Sequence, residues 1–170
     1  MGRYIGIDPG ASGSLCLLDT DEGLITFLNT PGPTCTPLAV HNWIQACSWG
    51  DNNTSGQLVR IIGIEDVQAV PGTHATSNFK FGFNVGLVRG IAECTGIGVD
   101  LIRPQAWQKA IGIVRKKGRS KAQLKKEIAV IAQRLYPTAE IHGPKGGLLD
   151  GRADALMIAH CMRLKYEGGL

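Results

Sequence analysis

Residues 3–19 read Arg3-Tyr4-Ile5-Gly6-Ile7-Asp8-Pro9-Gly10-Ala11-Ser12-Gly13-Ser14-Leu15-Cys16-Leu17-Leu18-Asp19. The run Arg3 to Ile7 is rich in β-formers and ends at Asp8-Pro9-Gly10, which reads as a strand followed by a turn. Ser14 to Asp19 gives a second strand. A third follows over Leu24 to Leu28, with Asp21-Glu22-Gly23 as the turn between them. Three short strands in succession point to an antiparallel meander at the start of an α/β fold.

The pattern continues outward from there. Thr30 to Thr36 is a Pro-containing loop, and Pro37 to Trp49 has helical spacing with Leu38, Ile44 and Cys47 as inward candidates. Gly50 to Gly56 is a polar loop. Leu58 to Ile64 is an apolar run too short for a helix, so a buried strand is expected. A loop over Val70 to Ser77 precedes a helix over Asn78 to Thr95. In that helix Gly82, Gly86 and Gly90 share one face. Three helical glycines cost about 1 kcal/mol each against alanine, so close packing against the sheet or a second subunit is expected there. Gly98 to Ile102 is a strand and Pro104 to Ile111 a short helix, Pro104 suiting its first turn. Ser120 to Tyr136 is a helix with an apolar stripe of Leu124, Ile128, Ile131 and Leu135, and with Lys121, Lys125 and Lys126 on its other side. His142 to Leu149 is a Gly-rich loop and Asp150 to Tyr166 the last helix. The order βββαβαβααα predicts a mixed sheet with helices on its faces.

Composition agrees. At 170 residues, the whole chain, 1–170, is read as one domain that can remove roughly 70% of its unfolded surface from water. With 44% hydrophobic and 19% charged residues, disorder and coiled coil are excluded. No run of 18 apolar residues exists, so no helix spans a membrane. The N-terminus lacks the features of a signal peptide. The expectation is a cytoplasmic protein, or one in a host cytoplasm if viral, with no membrane partner. Five cysteines without C-x-x-C spacing read as free thiols rather than a disulfide framework or zinc site.

Net charge is only +4, but its distribution is uneven. Arg103, Lys109, Arg115, Lys116, Lys117, Arg119, Lys121, Lys125 and Lys126 fall in one segment with no acidic residue among them. Such a block favours a polyanion such as a nucleic acid, and Lys116, Lys117, Arg119, Lys121, Lys125 and Lys126 are the candidate phosphate contacts. Binding through them should weaken steeply as salt rises.

A few carboxylates sit on otherwise apolar elements. Asp8 and Glu65 end apolar strands. Asp154 lies early in an apolar helix, and Asp150 precedes it by one helical turn on the same face. Each has an ordinary explanation: turn amides for Asp8, an N-cap role for Asp150, pairing with Arg152 or Lys145 for Asp154. Together they suggest one cluster, and clustered carboxylates need cations. Hard divalent ions with oxygen ligands, Mg2+ first and Mn2+ also suitable, meet that need. Two such ions roughly 4 Å apart suit phosphodiester hydrolysis.

The stretches Ile5-Gly6-Ile7-Asp8-Pro9-Gly10, Gly63-Ile64-Glu65-Asp66-Val67 and Asp150-Gly151-Arg152-Ala153-Asp154-Ala155-Leu156 together resemble the RuvC-type Holliday-junction resolvases of the RNase H-like superfamily. Gly86 to Ala92, Pro104 to Gly112 and Lys121-Ala122-Gln123-Leu124 extend the resemblance over almost the whole chain. It implies a five-stranded RNase H-like fold with helices on both faces. It implies a crossover-junction endodeoxyribonuclease, a homodimer that nicks opposed strands of a four-way junction symmetrically, leaving 5′-phosphate and 3′-hydroxyl ends. Asp8 would bridge two Mg2+ ions, with Glu65, Asp154 and Asp150 as further ligands, and Lys121 would act near the scissile phosphate. The sequence departs from the family twice. Gly151 stands three residues before Asp154 where a ligand is usual, with Asp150 one residue earlier. Gln68 stands where bacterial members carry a stacking aromatic residue, so either Phe79, Phe81 or Phe83 opens the junction or opening does not depend on a wedge. Two alternatives remain: a related nuclease acting on forks, flaps or RNA, and a non-catalytic DNA-binding protein. A nucleotide-binding ATPase shares a similar first strand, but that fold needs two lobes, and this length supplies one.

Overall fold

The computed structural model describes residues 2–32, 34–48, 58–68, 72 and 74–168. Its elements are β1 (Arg3–Asp8), β2 (Ser14–Asp19), β3 (Ile25–Asn29), α1 (Pro37–Ser48), β4 (Val59–Glu65), α2 (Ala75–Glu93), β5 (Val99–Ile102), α3 (Pro104–Ala110), α4 (Lys121–Leu135) and α5 (Asp150–Tyr166). The five strands form one sheet in the order β3-β2-β1-β4-β5. β1, β2 and β3 pair antiparallel, as a meander does. β4 and β5 add to β1 in parallel, which the helical crossovers α1 and α2 make possible. The mixed α/β sheet expected from the sequence is therefore present.

Alternation along the strands divides the core into two layers. Ile5, Ile7, Leu15, Leu17, Ile62 and Ile64 face Val40 and Ile44 of α1 and Val88 and Ala92 of α2. Tyr4, Cys16, Leu18 and Ile61 face the opposite layer of α3, α4 and α5. α5 is buried on nearly every side from Gly151 to Met162, as its apolar sequence demands. It lies so close to β1 that a Cβ at Gly6 would stand 2.1 Å from the Ala155 carbonyl oxygen and 2.4 Å from the Ala159 amide nitrogen. Glycine is required there for contact of backbone with backbone, not for its dihedral freedom.

Several expectations change. α2 begins at Ala75 rather than Asn78. Leu38 is 66% exposed, and Leu135 is 42% exposed at the end of α4; the inward face of α1 is carried by Val40, Ile44 and Cys47 instead. Among the described residues, a Cβ at Gly82, Gly86 or Gly90 would meet nothing within 4 Å. Tight packing of that glycine face on the sheet is thus excluded, because α2 turns Val88 and Ala92 inward instead. Trp49, the Gly50–Gly56 loop and part of the Val70–Ser77 loop lie outside the described residues. Of the cysteines, all free, only Cys94 is exposed. Among the described residues no helix is long and apolar enough to cross a membrane.

Candidate active site

Asp8 and Glu65 end the neighbouring parallel strands β1 and β4, directly after the paired residues Ile7 and Ile64. Period-two alternation turns both toward the α5 layer, the side of Tyr4 and Ile61. α5, held against β1 at Gly6, carries Asp154 over the same strand ends, near enough for the Asp8 and Glu65 charges to act on it.

The loop after β1 is tied down from several sides. The Gly10 amide donates to Asp8 Oδ1 at 2.9 Å. Asn84 Nδ2 of α2 donates to the Pro9 carbonyl at 2.9 Å, and the Thr30 hydroxyl donates to the Gly10 carbonyl at 3.1 Å. Gly13 bridges to Gly151 at the start of α5. Neither Asn84 nor Thr30 stands out by pattern, since a lone polar residue carries no periodic signal.

The three carboxylates share burial and mutual repulsion. Burial pushes Asp154 up to about 8, with the Asp8 and Glu65 charges adding to it and Lys125 opposing it. Burial likewise raises Glu65 to about 7; the Trp107 hydrogen bond opposes the rise and the Asp8 charge adds to it. Asp8 is raised by burial against the lowering effects of the Gly10 amide and Lys125. Neither Arg152 nor Lys145 neutralises Asp154: Arg152 turns to the Glu140 carbonyl at 3.0 Å, and Asp154 Oδ1 is buried without a hydrogen-bond partner.

An orphaned carboxylate oxygen beside two further carboxylates needs a proton or a cation. An all-oxygen donor set suits a hard divalent ion. On this ground the residues fit such an ion. Among the described residues no three His, Cys, Asp or Glu side chains already form a metal-sized cage, so holding an ion would require these side chains to close in.

The structure separates the remaining candidates. Asp150 is paired with Lys125 of α4. Gly151 cannot be replaced by a ligand without movement, because its Cβ would lie 2.2 Å from the Ser12 carbonyl oxygen. Lys121 is exposed at the start of α4, whose Ser120 and Gln123 form a capping box. It is Lys125, not Lys121, whose charge reaches Asp8 and Asp154. Trp107, singled out by nothing in the sequence, is buried and donates Nε1–H to Glu65 Oε1 at 2.9 Å.

An open cleft between α3 and the start of α4 is lined by Lys109, Arg115, Lys116, Lys117 and Lys121. Arg119 also borders it but is drawn inward to Glu127 Oε2 at 2.9 Å and the Val114 carbonyl at 3.1 Å. It anchors the basic loop. The cleft contains no carboxylate, yet α3 and α4, which frame it, are the helices that deliver Trp107 and Lys125 to the acidic centre.

No protein-family model matches the chain, and no curated protein matches it in sequence. Two solved structures match its fold almost end to end. The T. thermophilus RuvC in complex with Holliday junction substrate has 16% identity and a TM-score of 0.60, over 99% of this chain and 98% of that one. The Thermus thermophilus RuvC structure has 17% identity and a TM-score of 0.58, over 98% and 96%. The fold is thus the RuvC, RNase H-like one that the motifs suggested.

Proposed function

We propose that the chain is a divalent-metal-dependent endonuclease that resolves four-way DNA junctions by paired symmetric nicks, acting as a homodimer. The observation that carries this reading is the convergence of Asp8, Glu65 and Asp154 at the C-terminal ends of the central strands β1 and β4, with Asp154 Oδ1 buried and unpartnered. The basic cleft framed by α3 and α4 and the likeness of the fold to a RuvC bound to a Holliday junction support the substrate.

Asp8, Glu65 and Asp154 would hold the Mg2+ ions, and Mn2+ would suit the same oxygen donors. When bound, such ions activate water and stabilise the charge on the leaving oxygen. The chain's own residues supply the rest. The Gly10 amide and the Asn84 clamp on Pro9 fix Asp8. Trp107 fixes one oxygen of Glu65 and leaves the other available. Lys109, Lys116, Lys117, Lys121 and Lys126 contact backbone phosphates and set the register of the duplex arms, and Arg119 stiffens their loop. Phe79 and Phe83, 74% and 64% exposed on α2, are the aromatic surface available to stack at an opened junction, whereas Gln68 offers no ring.

The test is cleavage of a labelled synthetic four-way junction in Mg2+, with a linear duplex and Asp8→Asn as controls. Paired symmetric cuts, absent from the duplex and from the variant, with junction binding retained by the variant, are expected. Cleavage by Asp8→Asn would overturn the site. Equal cutting of forks, flaps or an RNA duplex would keep the hydrolysis and remove the junction selectivity. Tight binding without cutting by the unsubstituted chain would leave a DNA-binding protein.

A further inference from the structure

Asp150 stands where sequence spacing offers a fourth ligand, but its carboxylate faces a different partner. α5 starts at Asp150, and Gly151 is wedged against the Ser12–Gly13 backbone, so the first turn of α5 has a fixed setting. In that setting Asp150 Oδ2 meets the Lys125 ammonium. Lys125 is 47% exposed and Asp150 28% exposed at their side chains, so the pair lies at the rim of the centre, open to solvent and to a ligand. The buried members, Asp8 and Asp154, both sense the Lys125 charge.

Resting on the nuclease reading above, we propose that Asp150 holds Lys125 rather than a metal ion, and that the Lys125 ammonium so placed is the protein's phosphate contact next to the reacting bond. The centre then has three carboxylate ligands and one built-in cation. A lysine on a four-carbon stem needs such a tether, since its side chain otherwise samples many rotamers. A partly exposed ion pair adds little stability, so its value here is positional. The arrangement also has an electrostatic consequence: an ammonium beside the carboxylates opposes the uptake of divalent ions and favours the arrival of a phosphate.

Mn2+ binding by titration calorimetry on the full chain, without DNA, separates the roles by sign. Asp150→Asn should retain the ion stoichiometry and bind Mn2+ within about threefold of the unsubstituted chain, because no ligand is lost. Lys125→Met should bind Mn2+ more tightly by about threefold or more, because a nearby positive charge is gone. Both variants should lose single-turnover junction cleavage, and the double variant should be no slower than the slower single one, as for residues acting through one another. Thermal melting checks that both fold. A loss of an ion, or of about tenfold in affinity, in Asp150→Asn would make Asp150 a ligand and overturn the proposal. Unchanged or weaker Mn2+ binding by Lys125→Met would do so as well, and so would additive losses in the double variant. Failure of the unsubstituted chain to take up Mn2+ would instead remove the metal-dependent reading on which the proposal rests.

Discussion

The indole Nε1–H of Trp107 donates to Glu65 Oε1 at 2.9 Å, across the boundary between α3 and the end of β4. Trp107 is only 1% exposed, so the donor is fixed by the core rather than by the site. Its single N–H occupies one carboxylate oxygen and favours the ionised form. A buried residue on a helix that otherwise lines the basic cleft thereby sets the orientation of a candidate metal ligand.

Trp107→Phe keeps an aromatic ring and deletes this donor. The Glu65 carboxyl, already raised to about 7 by burial, rises further. The expected result is a cleavage profile displaced to higher pH, with the largest loss near neutrality and partial recovery above it. The lost hydrogen bond and smaller ring should destabilise the fold by about 1–3 kcal/mol. A uniform loss at every pH would assign Trp107 to packing alone, so rates across the pH range, measured beside melting curves, decide the matter.

Sequence periodicity made one half of this site legible and hid the other. Alternation in Ile5-Gly6-Ile7-Asp8 and Ile62-Gly63-Ile64-Glu65 puts both carboxylates on the layer opposite the isoleucines, and the apolar run after Asp154 puts α5 across them. Those are local regularities with long-range consequences. Trp107 and the Lys125–Asp150 pairing escaped because neither contact is periodic. An indole in a short helix reads as core, which it also is, and Lys125, legible as a phosphate contact, carries no sequence sign of its carboxylate partner. Arg119 misled in the opposite direction: one more charge in a basic run, it turns inward to Glu127. The helical glycines of α2 announced an unusual face, but only the structure shows that the sheet does not cover it.

Stability should respond to pH and to metal in opposite ways. Glu65 and Asp154, at about 7 and about 8, bind protons in the fold more tightly than in the unfolded chain. The native state therefore holds more protons than the unfolded state between roughly pH 4 and pH 8, and stability falls as pH rises through that window. Divalent ions compete with those protons, so Mg2+ should stabilise the chain more at pH 8 than at pH 5, and its uptake at pH 7 should release protons. Melting temperatures across pH with and without Mg2+ measure the first effect. Calorimetry in buffers of different ionisation enthalpy measures the second. Asp154→Asn should flatten the metal-free slope and abolish most of the Mg2+ response. A pH-independent Mg2+ response in the unsubstituted chain would contradict the shared burial of these groups.

Gly151 is a structural requirement, so placing a carboxylate at this position should fail. A Cβ there would stand 2.2 Å from the Ser12 carbonyl oxygen and 2.9 Å from Gly13 Cα, both backbone atoms that also carry the turn after Asp8. Gly151→Asp should destabilise the fold by about 3 kcal/mol or more and disturb Asp8, as overpacking against backbone does. Gly151→Ala should share most of the loss, which separates steric cost from added charge. Denaturant unfolding of the two variants reads this directly. A stable Gly151→Asp variant with higher Mn2+ affinity would show that the first turn of α5 is more adaptable than its contacts imply.

The exposed glycine face of α2 makes opposite predictions for a monomer and for the proposed dimer. Among the described residues nothing comes within 4 Å of a Cβ at Gly82, Gly86 or Gly90, and Phe79 and Phe83 are exposed on the same helix. In a monomer, replacing Gly86 and Gly90 by alanine relieves the helical cost of glycine, and stability should rise by about 1 kcal/mol at each. If a second copy of the chain packs its backbone against this face, the same methyl groups intrude and should weaken association. Sedimentation of Gly86→Ala/Gly90→Ala, set beside its unfolding at several protein concentrations, distinguishes the two. A homodimer assembled through α2 requires a larger monomer fraction in the variant, with the loss of stability growing as the protein is diluted. A more stable variant with unchanged association would move the dimer contact away from α2, leaving the glycines as a cost that this helix bears for another reason.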